Sequence, residues 1–406
     1  MIRDRIATVL LSALLIPHAA VGQSYEAHYV YLGGYPIAET AWSHEIHGVA
    51  HDDDHWYITQ AAPVVNPFKA IWKIPVGLDL RTVTESSPGV LRRMVSSVPQ
   101  LSQFKFIGDP DVYRHNGIDY LVVPISEEGS CFQAAGSGVA FFRCSDLSYI
   151  DHASLPGQCG EAEWVAVDSA GQLYSSRDFI APNSGNENQR GLRVYNVDWN
   201  TLQLSQQATI TFDHTVLLFD VNGAPLGIRT MQGGEFAPGD QLLYLSSGYA
   251  LDNNDDADRG GLHVFDTATF RRVQHSSRGV NGQIFDFYYD PGFDTFEEPQ
   301  GLTLWDLDDG RAPGIRGQLH AIVREDDELH DDVDFKHYTR ALSVDSNWTG
   351  CQTGAPACPF SSIPAALSAA WDGAEIRMRS GSYPNPLTVS RRLRFSAENG
   401  IARICG

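Results

Sequence analysis

The feature that most constrains this chain is a set of short β-rich runs that recur in a fixed order along it. One series opens on glycine: Gly138-Val-Ala-Phe-Phe, Gly191-Leu-Arg-Val-Tyr and Gly261-Leu-His-Val-Phe. A second precedes it: Trp56-Tyr-Ile-Thr, Tyr120-Leu-Val-Val, Gln172-Leu-Tyr-Ser-Ser and Gln241-Leu-Leu-Tyr-Leu-Ser-Ser. A third leads each unit: Gly48-Val-Ala, Asp111-Val-Tyr, Trp164-Val-Ala, Glu235-Phe-Ala and Gly301-Leu-Thr. Runs of this length, bounded by Gly, Asp, Asn and Pro, read as strands, and long amphipathic helix patterns are nearly absent. Units starting near residues 48, 111, 164, 235 and 301 each hold three or four strands, which is what one radially repeated blade requires. Residues 25–342 therefore predict an all-β, five-bladed β-propeller, with six blades or a pair of β-sandwiches as the alternatives. The fifth unit, ending in Asp334-Phe-Lys-His-Tyr, is short of an outer strand. Tyr29-Val-Tyr-Leu would supply it and remove an exposed sheet edge.

These blades resemble the broad propeller class that includes phytase-like, lactonase-like and NHL-type proteins. Glu298-Pro-Gln-Gly-Leu is similar to the E-P-E-G-L blade opening seen there, with Gln300 in place of the second Glu. The resemblance spans about three quarters of the chain and implies architecture only, because propellers host many unrelated functions. Beyond residue 343 the pattern changes. Phe360-Ser-Ser-Ile-Pro-Ala-Ala-Leu-Ser-Ala-Ala-Trp reads as a short apolar helix, followed by strand-like Ala374-Glu-Ile-Arg-Met-Arg-Ser-Gly-Ser-Tyr, Leu387-Thr-Val-Ser and Leu393-Arg-Phe-Ser. That order resembles the cap and first coil of a pectin-lyase-like right-handed β-helix, so 343–406 is expected to be a small β-helix-like segment. A single coil cannot bury its apolar face alone, so it is expected either to lie against the propeller or to be the remnant of a longer domain. That family's catalytic residues sit on later coils, so no lyase activity follows from the resemblance.

Arg3 and Arg5, the eleven-residue apolar run Ile6 to Ile16, and small residues Ala20 and Gly22 before Gln23 have the layout of a secretory signal peptide over 1–22. The run is too short for a span, which needs roughly 20 residues. A secreted or periplasmic protein with no membrane span is expected, and a monomer. The net charge of −21 argues against nucleic acid, whose phosphates it would repel, and permits cations, uncharged glycans or other small molecules, and basic partners. Six cysteines suit disulfides in an exported chain. Cys131–Cys144 and Cys351–Cys358 are the local pairings, among 15 connectivities.

Aligning the leading strands places Glu45, Asp109, Glu161, Gln232 and Glu298 just before them, the position that rings a propeller's channel mouth. Converging hard oxygen donors suit Ca²⁺; each acid could equally cap its own turn or pair with Arg or Lys. Asp252, Asn254, Asp256 and Asp258 alternate like the start of a calcium loop, but Ala257 replaces the EF-hand glycine and His263 stands where its Glu belongs. The segment reads equally as a solvated acidic loop. His44-Glu-Ile-His47 is one residue short of the H-E-x-x-H zinc motif, and strand alternation puts its histidines on opposite faces. Beside carboxylates, His47 could have its pKa raised and serve as a general acid or base, or could be held by structural hydrogen bonds; Glu161, Glu298 and His47 are the candidate catalytic set. The leading expectation is a calcium-stabilised propeller that binds a ligand such as a glycan in an acidic cup. The alternatives are a calcium-dependent hydrolase of phosphate esters, lactones or glycosides, and a structural or adhesive surface protein.

Overall fold

The computed structural model describes residues 28–37, 40–62, 68–127, 136–158, 160–177, 180–186, 189–203, 208–248, 261–276, 297–325, 333–352, 354, 359–370, 374–384, 388–390 and 392–405. After β1 (His28–Ile37), the first blade is β2 (Ile46–His51), β3 (His55–Ala62), β4 (Phe68–Pro75) and β5 (Leu91–Met94). The second is β6 (Phe106–Ile107) and β7 (Asp111–His115) beside β8 (Ile118–Ser126), β9 (Ser137–Arg143) and β10 (Tyr149–Ser154). The third is β11 (Ala166–Val167), β12 (Gln172–Ser175), β13 (Leu192–Val197) and β14 (Ile210–Val216), with helix α1 (Trp199–Gln203) in its last connection. The fourth is β15 (Met231–Phe236), β16 (Leu242–Ser247), β17 (Gly261–Asp266) and β18 (Arg271–His275). The fifth is β19 (Glu297–Leu304), β20 (Leu319–Glu325) and β21 (Val333–Val344), and β1 pairs antiparallel with β21, from His28 opposite Ala341 to Ile37 opposite Val333. The chain is thus a five-bladed β-propeller whose last blade is closed by its first strand.

Blade count is also visible in the core. Five apolar clusters each fill one gap between neighbouring blades, and middle strands such as β16 are buried along their whole length because they meet a neighbour on both faces. Outer strands such as β5 and β14 are half exposed. The gap between the fifth and first blades is the richest in tryptophan, holding Trp42, Trp56, Trp72 and Trp305. Tyr29 of β1 is fully buried in the gap between the fourth and fifth blades, its ring edge-on to Tyr244 at 5.6 Å.

At the axis, three inner strands carry the same irregularity: the ladders of β2, β15 and β19 slip at Ile46/Gly48, Met231/Gly233 and Pro299/Leu302. Bulges of this kind bend a strand and re-aim its groups. Here they make Gly48, Gly233 and Gly301 equivalent, and turn the next amide in each strand inward. The carboxylate of Asp109, contributed by the second blade, is fully buried among these glycines. It accepts hydrogen bonds from Val49 N at 2.8 Å and Gly234 N at 3.2 Å, and from the Leu302 amide. Its own backbone bridges to the third blade, Asp109 N to Glu163 O at 2.7 Å and Val165 N to Asp109 O at 3.2 Å. One residue therefore touches all five blades.

After residue 341, β21 continues beyond the blade and pairs in parallel with β22 (Glu375–Pro384), which pairs in parallel with β23 (Arg394–Cys405). Helix α2 (Ile363–Ala369) is capped by Ser362, with Pro364 in its first turn, and packs Ile363 and Ala366 with Leu342, Val344, Phe360 and Ile376 in a separate apolar cluster. The disulfide expected between Cys131 and Cys144 is overturned: Cys144 is a free thiol, buried in the core between the first and second blades. Its carbonyl is held there by Lys73 Nζ at 2.7 Å, and burial pushes the thiol well above its ordinary range. Cys351 is disulfide-bonded and Cys405 is free; Cys131, Cys159 and Cys358 lie outside the described residues.

A Cβ on Gly301 would lie 2.0 Å from Asp109 Oδ1 and 2.6 Å from the Gly48 Cα, whereas one on Gly185 would meet nothing within 4 Å. In urea unfolding, Gly301→Ala is expected to lose about 3 kcal/mol or more by overpacking, and Gly185→Ala to stay within about 0.5 kcal/mol of the parent. Equal losses would mean that the channel centre is not close-packed.

Candidate functional site

The antiparallel register of the fifth blade puts Arg324 of β20 directly opposite Glu298 of β19. Opposed residues share a face, so their side chains meet. Arg324 Nη2 lies 3.1 Å from Glu298 Oε2, and Nη1 reaches across the ring closure to Glu45 Oε2 at 2.8 Å. The guanidinium is almost enclosed, at 7% side-chain exposure, while Glu298 and Glu45 keep 15% and 28%. Gln300 extends the group by donating Nε2 to Glu298 Oε2 at 2.9 Å. Glu45 holds the left-handed backbone conformation, φ 51°, and its carbonyl accepts the Ala61 amide. Such strain in a residue with a side chain persists only where its surroundings enforce it, and gathers at functional sites.

The residues expected to form one ring take different places. Glu45 and Glu298 are equivalent and are joined through Arg324. The shared bulge makes Thr230 their counterpart in the fourth blade, so Gln232 occupies the position of His47 and Gln300. Glu161 is partly buried in the segment leading into β11, next to Gly160, which faces the Arg177 guanidinium. Asp109 sits inside the channel rather than at its mouth. The donor set does not fit calcium at the mouth: Arg324 already supplies the positive charge between Glu45 and Glu298, and Asp109 is fully buried and bonded to three amides. Among the described residues no group of three or more His, Cys, Asp or Glu is placed to hold a metal ion. Asp252, Asn254, Asp256 and Asp258 lie outside the described residues.

Of the two roles open to His47, the structure shows the hydrogen-bonding one. Its Nε2 donates to the Ala61 carbonyl at 3.1 Å, and burial together with the Arg324 charge pushes its pKa down to about 3, not up. It is a neutral structural donor at neutral pH. His44 stacks on Phe68 at 5.9 Å.

Sequence alignment missed a second acidic group, towards the opposite end of the channel. Asp111 accepts the Val167 amide at 2.6 Å and its neighbour's amide, and burial pushes its pKa up to about 7. Glu235 is raised well above the carboxylate range by burial and by the charge of Asp111, against the opposing hydrogen bond from Thr303. Two acids so close in a low-dielectric channel cannot both ionise freely. The signal was present, since Asp111 and Glu235 open two of the leading strand motifs.

No protein-family model and no curated protein matches this chain. Solved structures do. A GH43_1 enzyme from Xanthomonas citri complexed with xylose is 12% identical, with a TM-score of 0.45 over 74% of this chain and 89% of that one. A GH43 β-xylosidase/α-arabinofuranosidase from a compost microbial metagenome, in complex with xylotriose and in calcium-free form, is 10% identical, TM-score 0.39, over 78% and 93%. A GH43 endo-arabinanase from Bacillus licheniformis is 12% identical, TM-score 0.37, over 75% and 96%. The likeness is one of fold.

Because the folded state holds the Asp111 proton more tightly than the unfolded chain, its contribution to stability is full below about pH 4 and is lost as pH rises through about 7. The stability advantage of the parent over Asp111→Asn is therefore expected to shrink between those values and to level off above them, read from denaturant unfolding at each pH. A gap that widens with pH would mean that Asp111 is ionised in the folded protein.

Proposed function

We propose that this protein is exported, to the periplasm or the exterior, and binds an uncharged glycan at the channel mouth where the fifth and first blades meet. The observation that carries this reading is the Glu45–Arg324–Glu298 cluster. Vicinal sugar hydroxyls are donors and acceptors at once. Two carboxylates offer acceptors and the guanidinium offers donors in a fixed planar fork. The one guanidinium offsets much of the carboxylate charge, so a neutral polyol binds without carrying a compensating ion, while the overall charge of −21 disfavours polyanions. Lys336 of the fifth blade is already committed, pairing with Asp334 at 2.6 Å.

Binding to an array of neutral oligosaccharides tests the reading. One or more glycans are expected to bind, and Arg324→Ala and Glu298→Gln each to weaken that binding about tenfold, the effect of roughly 1.4 kcal/mol. An array that stays blank, or variants that bind as the parent does, would overturn it.

A second reading, hydrolysis of a glycosidic bond, is favoured by the same geometry. Cleavage of a glycosidic bond uses a pair of carboxyl groups flanking it, and Arg324 gathers Glu45 and Glu298 into one cluster. Under it, Glu298→Gln loses turnover of the glycan even at concentrations that overcome the tenfold weaker binding; a variant that at such concentrations turns over as the parent does sinks this reading and leaves binding in place.

A further inference from the structure

On the far side of the fifth blade, the closing strand, a loop and the C-terminal strands enclose a cavity of about 370 Å³ lined by Leu32, Gly34, Gly314, Arg316, His337 and Arg394. Its base is unusual. His337 is 3% exposed, and its Nε2 has no hydrogen-bond partner among the described residues. A buried polar atom left open in this way costs stability unless something from outside satisfies it.

The neighbouring bonds decide which kind of atom it is. His320 Nε2 lies 2.7 Å from the Trp305 carbonyl, which can only accept, so this nitrogen carries the proton. A neutral imidazole has one N–H, so His320 Nδ1 is bare. It lies 2.9 Å from His337 Nδ1, which must therefore be the donor, leaving His337 Nε2 as a bare acceptor. Both rings are neutral at ordinary pH, since burial lowers His320 to about 4 and His337 well below its usual value. The chain of two histidines thus leaves a fixed lone pair on a side chain that lines the cavity.

The rim has the opposite demand. Arg316 and Arg394 are exposed, and no carboxylate is among the described lining residues, in a chain with 50 acidic residues against 29 Lys and Arg. Paired guanidinium groups suit a planar carboxylate. A fully ionised phosphate would meet the arginines but has no hydrogen for His337. A simple carboxylate has none either.

We propose that this cavity is a binding site for a small hydroxy-carboxylate such as a sugar acid, whose carboxylate meets Arg316 and Arg394 and whose hydroxyl donates to His337 Nε2. Its volume lies at the low end of ordinary small-ligand sites, about 300 to 1,000 Å³. The site is separate from the channel mouth and shares no residue with it.

The full-length protein labelled with ¹⁵N-histidine is titrated with D-glucuronate, glucose and acetate. The free protein is expected to show His337 as the Nδ1–H tautomer. Glucuronate is expected to move the His337 Nε2 resonance, with affinity at least tenfold above acetate and no binding of glucose. Arg316→Ala and Arg394→Ala, both at exposed positions, are expected to lower glucuronate affinity at least tenfold while leaving the tautomer unchanged. An Nε2–H tautomer, equal affinities for glucuronate and acetate, arginine variants that bind as the parent does, or no response to glucuronate would each overturn the proposal. His337 substitution is not needed, so a failure to fold cannot obscure the result.

Discussion

The carboxylate of Asp109 is the hub on which the ring depends. A propeller has a hole at its axis, and inner strands of five sheets cannot approach closely enough to fill it with their own side chains unless they are small. Here three blades bring glycine to the axis and one brings an acid. The arrangement is mutually necessary: the glycines leave room for the carboxylate, and the bulges that place them free three amides that need an acceptor. Burial alone would hold Asp109 protonated, and the amides act against that, so the acid is balanced between desolvation and hydrogen bonding. The same bulges set the height at which Glu45 and Glu298 emerge, so the geometry of the mouth follows from the packing at the axis.

The chain handles its surplus of negative charge locally. At the mouth, one guanidinium serves two carboxylates. Deeper in, Asp111 and Glu235 are kept from full ionisation by burial and by each other. In the blades, histidines rather than lysines supply many polar contacts, and burial keeps His47, His51 and His320 neutral. A neutral imidazole can stand beside an arginine or another histidine without repulsion, which is how the fifth blade sets His320 edge-on to His337 beside Phe335.

Much of the fold was legible because it is written in hydrophobic alternation and turn residues, which are local. The blade count and the closure by residues near Tyr29 follow from that pattern. Inner-strand register was not legible, because a bulge adds a residue without changing composition. Gly48 and Gly301 align from sequence, yet the motif opening on Glu235 sits two residues beyond its counterpart, Gly233. That offset carried Gln232 into a ring to which Thr230 corresponds, and hid the acid pair inside the channel. Arg324 was invisible for another reason: it belongs to a second strand, and only the ladder reveals that it faces Glu298. The Cys131–Cys144 pairing rested on nearness in sequence, whereas the end of β9 carries Cys144 into the interior.

The clasp between β1 and β21 has a consequence for how the molecule is made. A chain emerging N-terminus first presents β1 long before its partner exists, and four blades can assemble while this strand waits. The join His28 to Ala341 spans nearly the whole ring, so closing it carries a large entropic cost that local contacts cannot offset in advance. Until then the fifth-blade edge and the tryptophan-rich gap beside it lie open, and an open edge is a template for other chains. Biogenesis of this protein thus turns on a late event that covers the β21 edge with β1.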